Sequence, residues 1–469
     1  MRLAPILDAL REAVLTMLAA LATMACTLAI DPEQGPLTLA VVLAYSLSRS
    51  HLDHDLRGRL EAAVILPIVS LAALAVAMLL RHEAWIGAIV FVAGMGLSIW
   101  MRRFGPGPRR AGSLIGLPFI VILITPYTPS ARFAQPMAAL VPIIVALLAL
   151  LWVAVFHALG RRMYWLPPVR SAPVPIARVE PTQSLRPVAS TRMAVQMMVA
   201  LAAAFVVGYV FFAERWVWVV LTAYIVNAGN QGRLDVAYKS VLRVLGAMVG
   251  TLLALTVTAQ VGAHDATTVM LILLAVFLGM WLRPISYAWW ALFITVAMAL
   301  LQGFEGQSAG QILVLRMQEI IIGAILGVVS AWFVWPVRSR HVLRRRIADA
   351  LEQFSAALDP ANAPGSGAAF VAAITQVESV APAFRATRWA TRRSHQPQPA
   401  NWIDSLVACR EPAVALIESG RTPREVRQAI GRTRKALREP AAIEAALGEL
   451  RAALEHDRPE DSVDARSDR

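Results

Sequence analysis

Arg316 and Glu319 open the last long apolar stretch, in RMQEIIIGAILGVVSAWFVWP. Residues three apart share one face of a helix. An ionised group carried into hydrocarbon needs a counter-charge, water or a ligand. The pair therefore reads in two ways: as a substrate or proton site facing an internal cavity, or as an ion pair that anchors the helix end. A second group, Arg233, Lys239 and Arg243 with Asp235, stands at the start of the ninth apolar run. Focused positive charge concentrates anions, although the same residues also serve to set topology. Arg57, Arg59 and Glu61 hold the matching place in the first half of the chain. A third group lies in the short run RWVWVVLTAYIVNAGNQG, where Trp218, Thr222 and Asn227 mark a wall of a transport path. Irregular or short apolar segments are tolerated only where they line a cavity or are buried in protein. Trp216 reads instead as an interfacial aromatic.

Three GxxxG spacings, Gly112 with Gly116, Gly246 with Gly250 and Gly323 with Gly327, read as helix-packing faces. No nucleophile elbow, phosphate loop, dinucleotide fingerprint or metal-ligand spacing occurs, so the expectation is a protein that is not an enzyme and takes no cofactor and no metal. The two cysteines, Cys26 and Cys409, exclude a disulfide framework.

The elements that must position these residues are apolar helices. The chain is 57% hydrophobic and 16% charged, against about 25% charged in ordinary globular domains; its mean hydropathy is +0.58. Apolar runs fall at about 13–30, 35–47, 62–80, 84–101, 112–126 and 135–157, then at 191–213, 216–228, 241–259, 267–282, 286–301 and 312–335. A bilayer core of about 30 Å takes about 20 helical residues, so the runs at 35–47, 112–126, 216–228 and 286–301 are short. The stretch from 13 to 30 contains Ala20-Leu21-Ala22, which resembles a signal-peptidase site, but it lacks a clean basic leader and reads as a retained span.

The net charge of +13 reflects arginines gathered in alternate loops: Arg49, Arg102, Arg103, Arg161, Arg162, Arg283, and Arg338 through Arg346. This is the positive-inside pattern, and it makes nucleic acid an unneeded partner. It places both termini in the cytosol. The two sets of runs match in order, which implies two parallel repeats.

The resulting fold class is an all-α polytopic membrane protein of two parallel repeats, each of about six transmembrane helices, followed by a cytosolic helical domain. The expected segments are a first transmembrane half at 1–157, a cytosolic linker at 158–190, a second half at 191–336 and the helical domain with a disordered end at 337–469. Amphipathic helices are expected at about 368–394, 401–419 and 422–456, with breaks at Pro382 and Pro440.

The second half resembles the fusaric acid resistance protein-like family of bacterial inner-membrane proteins. The resemblance is carried by Trp218-x3-Thr222, the turn at Gly229 to Gly232, Lys239…Arg243-Val-Leu-Gly246-x3-Gly250, and Arg316…Glu319…Gly323…Gly327…Pro336, over about residues 190–340. The first half is similar only loosely, through Gly35-Pro36 and the basic connector. The resemblance implies an inner-membrane exporter of small, often aromatic, carboxylic acids, with membrane lipid around it. It also implies a periplasmic adaptor for some members and a homo-oligomer by analogy with related plant anion channels. Within that frame Arg233, Lys239 and Arg243 attract the anion, Arg316 binds it and Glu319 modulates the site or carries a proton. A passive anion channel and a membrane scaffold acting through the cytosolic helices remain as alternatives.

Overall fold

The structure, a computed structural model, describes residues 4–50, 56–124, 140–166, 188–213, 215–258, 266–304, 309–359, 366–391 and 398–456. Most of the expected linker (167–187), the charged end (457–469) and several inter-helix loops lie outside these. Among the described residues there is no strand. The first six helices are α1 (Ala4–Ile30), α2 (Gln34–Ser50), α3 (Leu56–His82), α4 (Ala84–Trp100), α5 (Pro106–Ile124) and α6 (Val141–Arg162). The next six are α7 (Ala189–Phe211), α8 (Trp216–Asn227), α9 (Arg233–Thr258), α10 (Ala266–Leu282), α11 (Tyr287–Phe304) and α12 (Ala309–Phe333).

Seven of these helices are long and apolar enough to cross a membrane, against the twelve spans expected. The shortfall has a physical reason at α8. Its 12 residues reach only about 18 Å at 1.5 Å per residue, well under the thickness of a bilayer core. Helices α2, α10 and α11 are also counted among the shorter apolar ones.

The faces of α9 show how such a helix meets lipid. Val241, Leu245, Met248, Val249 and Leu252 are exposed, while Ser240, Arg243, Gly246, Gly250 and Thr251 are buried. On α3 the exposed residues Leu60, Val64 and Ile68 follow one another four apart. An apolar exterior over a polar-bearing interior is the reverse of a water-soluble helix, and patches of this extent require a membrane or a partner. The chain is a multi-pass membrane protein.

Within this membrane unit α1, α2 and α6 pack against one another, as do α7, α8 and α12. Helix α4 lies against α7, and α1 against α10. With little hydrophobic drive between helices in lipid, close backbone approach decides which helices pair. A methyl on Gly323 would come within 2.6 Å of Val219 O, and one on Gly327 within 2.4 Å of Val226 Cγ2, so α12 lies directly on α8. Gly246 and Gly250 face Ala288 O and Leu292 O of α11 at 2.7 and 2.5 Å by the same measure. Gly112 meets Ser98 O of α4 at 2.3 Å. All three GxxxG spacings are therefore packing faces.

A second compact unit takes in Gln231–Tyr238 and the chain from Val337 onward. Its helices are α13 (Ser339–Ala357), α14 (Ser366–Glu378), α15 (Ala381–Thr391), α16 (Pro399–Ala408), α17 (Arg410–Glu418), α18 (Arg424–Ala436) and α19 (Ile443–His456). Phe354, Phe370, Ile374, Trp402, Ile430 and Leu447 meet in one core. Each such side chain removed from water contributes roughly 1.5–3 kcal/mol. The α14–α15 pair, bent by 42°, contributes to this core. The bend falls at Ser379–Val380, just ahead of Pro382, and α18 ends before Pro440.

Candidate functional site

The α8–α12 contact positions the first group of charges. Its glycines bring the two backbones together, and side chains one and two turns before Gly323 meet the start of α8 beyond that seam. The guanidinium carbon of Arg316 lies 3.7 Å from the centre of the Trp218 ring, a cation–π stack at van der Waals distance. Arg316 is 2% exposed and Glu319 0%. Arg215, in the turn between α7 and α8, places Nη1 4.0 Å from Glu319 Oε1. Neither carboxylate oxygen of Glu319 has a hydrogen-bond partner among the described residues. Arg316 thus stacks on an indole and interacts electrostatically with Glu319, while Arg215 also faces the carboxylate.

Arg243 forms the second group. It is only 4% exposed and lies ten residues into α9. Its electrostatic influence reaches Arg316, which is surrounded by the like charges of Arg243 and Arg215 and the opposite charge of Glu319. Arg243 Nε and Nη1 have no hydrogen-bond partner among the described residues. Its guanidinium carbon lies 5.9 Å from the centre of Trp290, and that of Arg283 lies 5.2 Å from the same ring. Arg283 Nη1 in turn donates to the Tyr45 hydroxyl on α2.

The remaining sequence candidates fall elsewhere. Lys239 Nζ donates to the carbonyls of Ala228 and Gly229 at 3.3 and 3.4 Å, closing the turn after α8. Gly229 there has φ +62°, a left-handed value that glycine adopts freely. Arg233 belongs to the second unit, where its backbone N–H bonds Val337 O at 3.1 Å. Thr222 and Asn227 face α12 at Gly323 and Gly327. Asn227 Nδ2 donates to Ala223 O at 3.0 Å.

Sequence reasoning passed over several polar residues that the fold brings together. Gln196 on α7, 1% exposed, donates Nε2 to Val334 O at 3.0 Å and Trp335 O at 3.2 Å. It accepts from Asn230 Nδ2 at 3.2 Å. Trp335 holds φ +43°, rare for a bulky residue, and this clamp secures the turn. A lone Gln in an apolar run was the available signal. In the first half Thr16, Ser48 and His157 form a buried chain at 2.6 and 3.0 Å. The Thr16 hydroxyl donates to Glu12 O, so Ser48 must donate to Thr16, and His157 Nε2 must then carry the proton that Ser48 accepts. These three residues are scattered over 142 positions and give no local motif.

Residues 198–330 match the family model of the fusaric acid resistance protein-like family. The matched segment contains Arg215, Trp218, Arg243, Trp290, Arg316 and Glu319. It points to a membrane transporter-like protein. No curated protein and no solved structure matches the chain.

Proposed function

We propose that the chain is an inner-membrane exporter of small organic anions, of the aromatic carboxylic kind, driven by a proton gradient. The observation that carries this reading is an imbalance of charge. Three guanidiniums, Arg215, Arg243 and Arg316, share a neighbourhood with one buried carboxylate, Glu319. Desolvating a charge costs several kcal/mol per ion unless it is paired. A carboxylate substrate offsets the excess positive charge, and guanidinium groups bind such groups in a fork geometry. Arg316 and Arg243 hold the anion in this scheme, Trp218 fixes the Arg316 plane, and Glu319 takes and releases the coupling proton. Lys239 and Arg233 contribute positive potential on the cytosolic side.

The same reading includes two parallel repeats, 1–157 and 191–336, a linker at 158–190 and a cytosolic helical domain at 337–469. The equivalent triangles α1–α2–α6 and α7–α8–α12, and the exchanged contacts α4–α7 and α1–α10, support the repeat. The arginine phase supports cytosolic termini. A periplasmic adaptor and a homo-oligomeric state belong to the proposal as partners.

The test is benzoate flux in proteoliposomes with and without an imposed pH gradient. Export that rises with the gradient, and that Arg316→Ala and Glu319→Gln each reduce at least tenfold, is expected. Full export by both variants removes the site assignment. Flux that ignores the pH gradient replaces the exporter with a passive anion channel.

A further inference from the structure

Trp290 carries two arginines and is in tight contact with neither. The Arg316–Trp218 distance of 3.7 Å is that of touching surfaces. Arg243 and Arg283 stand 5.9 and 5.2 Å from the centre of Trp290, inside the range of cation–π attraction yet short of stacking. Trp290 is half-buried, so its ring is reachable. The Tyr287 ring lies 5.4 Å away, tilted by 32°, which extends the indole into a broad aromatic wall. On that wall Arg243 keeps Nε and Nη1 without hydrogen-bond partners and pairs with no carboxylate among the described residues. A buried charged donor left in this state is unfavourable by about 1–3 kcal/mol or more. Arg283 is braced from the other side by the Tyr45 hydroxyl.

We propose that Arg243, Arg283 and Trp290, with Tyr45 as a positioning residue, form the part of the anion site that selects planar carboxylates. The ligand's carboxylate takes the free N–H groups of Arg243, and its ring lies on the Trp290–Tyr287 wall. This rests on the organic-anion reading above and adds where the ring of that anion is recognised. Offset stacking of one ring on another contributes about 0.5–1.5 kcal/mol beyond burial, which corresponds to roughly a two- to tenfold preference. Arg283 sets the potential over the ring and the tilt of the indole.

The experiment is equilibrium binding of benzoate and of cyclohexanecarboxylate to the purified full-length protein in detergent. The two acids share charge and approximate size but differ in planarity. Wild type is expected to prefer benzoate by about three- to tenfold. Trp290→Ala abolishes the preference, weakening benzoate more than cyclohexanecarboxylate, whereas Trp290→Phe keeps it. Arg243→Gln weakens both acids about tenfold or more. If Trp290→Ala does not purify as a monodisperse protein, Arg283→Gln carries the test, with the preference expected to fall about threefold. Equal binding of the two acids by wild type, binding of neither, or a preference unchanged in Trp290→Ala or in Arg283→Gln overturns the subsite. Flux in proteoliposomes is read separately. A wild type that shows the binding preference but moves neither acid removes the exporter and leaves the subsite. One that exports both acids, with Trp290→Ala unchanged in preference, does the opposite.

Discussion

The Arg316 guanidinium carbon lies over the Trp218 ring, 3.7 Å from its centre, and so ties the first half of α12 to the start of α8. A lysine keeps the charge at this place but loses the planar stack and the fork. Export of benzoate by Arg316→Lys is expected to fall at least tenfold, whereas Trp218→Phe, which keeps a π face, stays within about threefold. Initial rates normalised to reconstituted protein decide it. Near-wild-type rates in Arg316→Lys would show that only charge matters there.

Gly323 has no room for a side chain, because the first added carbon meets Val219 O at 2.6 Å and Thr222 Cβ at 2.8 Å. Gly323→Val is expected to destabilise the membrane unit by about 1–3 kcal/mol. Gly431, within α18, has nothing within 4 Å, so Gly431→Ala should stabilise the second unit by up to about 1 kcal/mol. Thermal unfolding in detergent should show opposite signs for the two. A neutral Gly323→Val would mean that α8 and α12 separate easily.

Gln196→Leu leaves the carbonyls of Val334 and Trp335 without their donor. An unsatisfied buried acceptor is unfavourable by about 1–3 kcal/mol. Faster amide exchange is expected in the segment after α12, around the left-handed Trp335. Unchanged exchange there would assign the turn to Pro336 alone.

Asp404 receives Arg385 at 3.0 and 2.8 Å and also Arg388. Burial acts to raise its carboxyl, but the bonds from Arg388 and Arg385 outweigh it and hold the group below the usual carboxylate range. A depressed folded value stabilises above the unfolded one, near 3.9, and that stabilisation is lost as pH falls through the folded value. The site is partly exposed, so Asp404→Asn should weaken α15–α16 by less than about 1 kcal/mol at pH 7. Amide exchange of the full-length protein should show that difference, and the difference should vanish at low pH. A gap that persists at pH 2 counts against the ion pair.

Cys409 is buried, donates Sγ–H to Ser405 O at 3.3 Å, and is pushed up to about 12 by that burial. Reaction proceeds through the thiolate, so maleimide labelling at pH 8 should be roughly a thousandfold slower than for a free thiol. Denaturant should restore it. Rapid labelling of the native protein at Cys409, identified by peptide mapping, would place that helix outside the folded core.

The periodic features of the chain were legible in the sequence, and the contacts made at long range were not. Apolar runs marked the helices because lipid exposure leaves little choice of residue, and the three GxxxG spacings marked packing faces because only glycine permits that approach. Arg316, Glu319 and Arg243 stood out because charge in an apolar run is rare. Arg215 looked like a loop residue, and Trp290 had no signal to set it apart within its apolar run. Their roles depend on which helix lies opposite, and no local pattern encodes that. The length of α8 was legible as a short run, but whether it would be extended by its polar flanks was not.

The backbone contacts at Gly323 and Gly327 leave α8 and α12 no slack for sliding, and those at Gly246 and Gly250 do the same for α9 and α11. Mechanically these are two rigid girders. Arg316 rides on one and Arg243 on the other, two like charges that repel across the joint. In the exporter proposed above, a change of access would pivot along that joint, an anion lodged between the arginines would act as the latch, and its departure would let repulsion spread the girders apart.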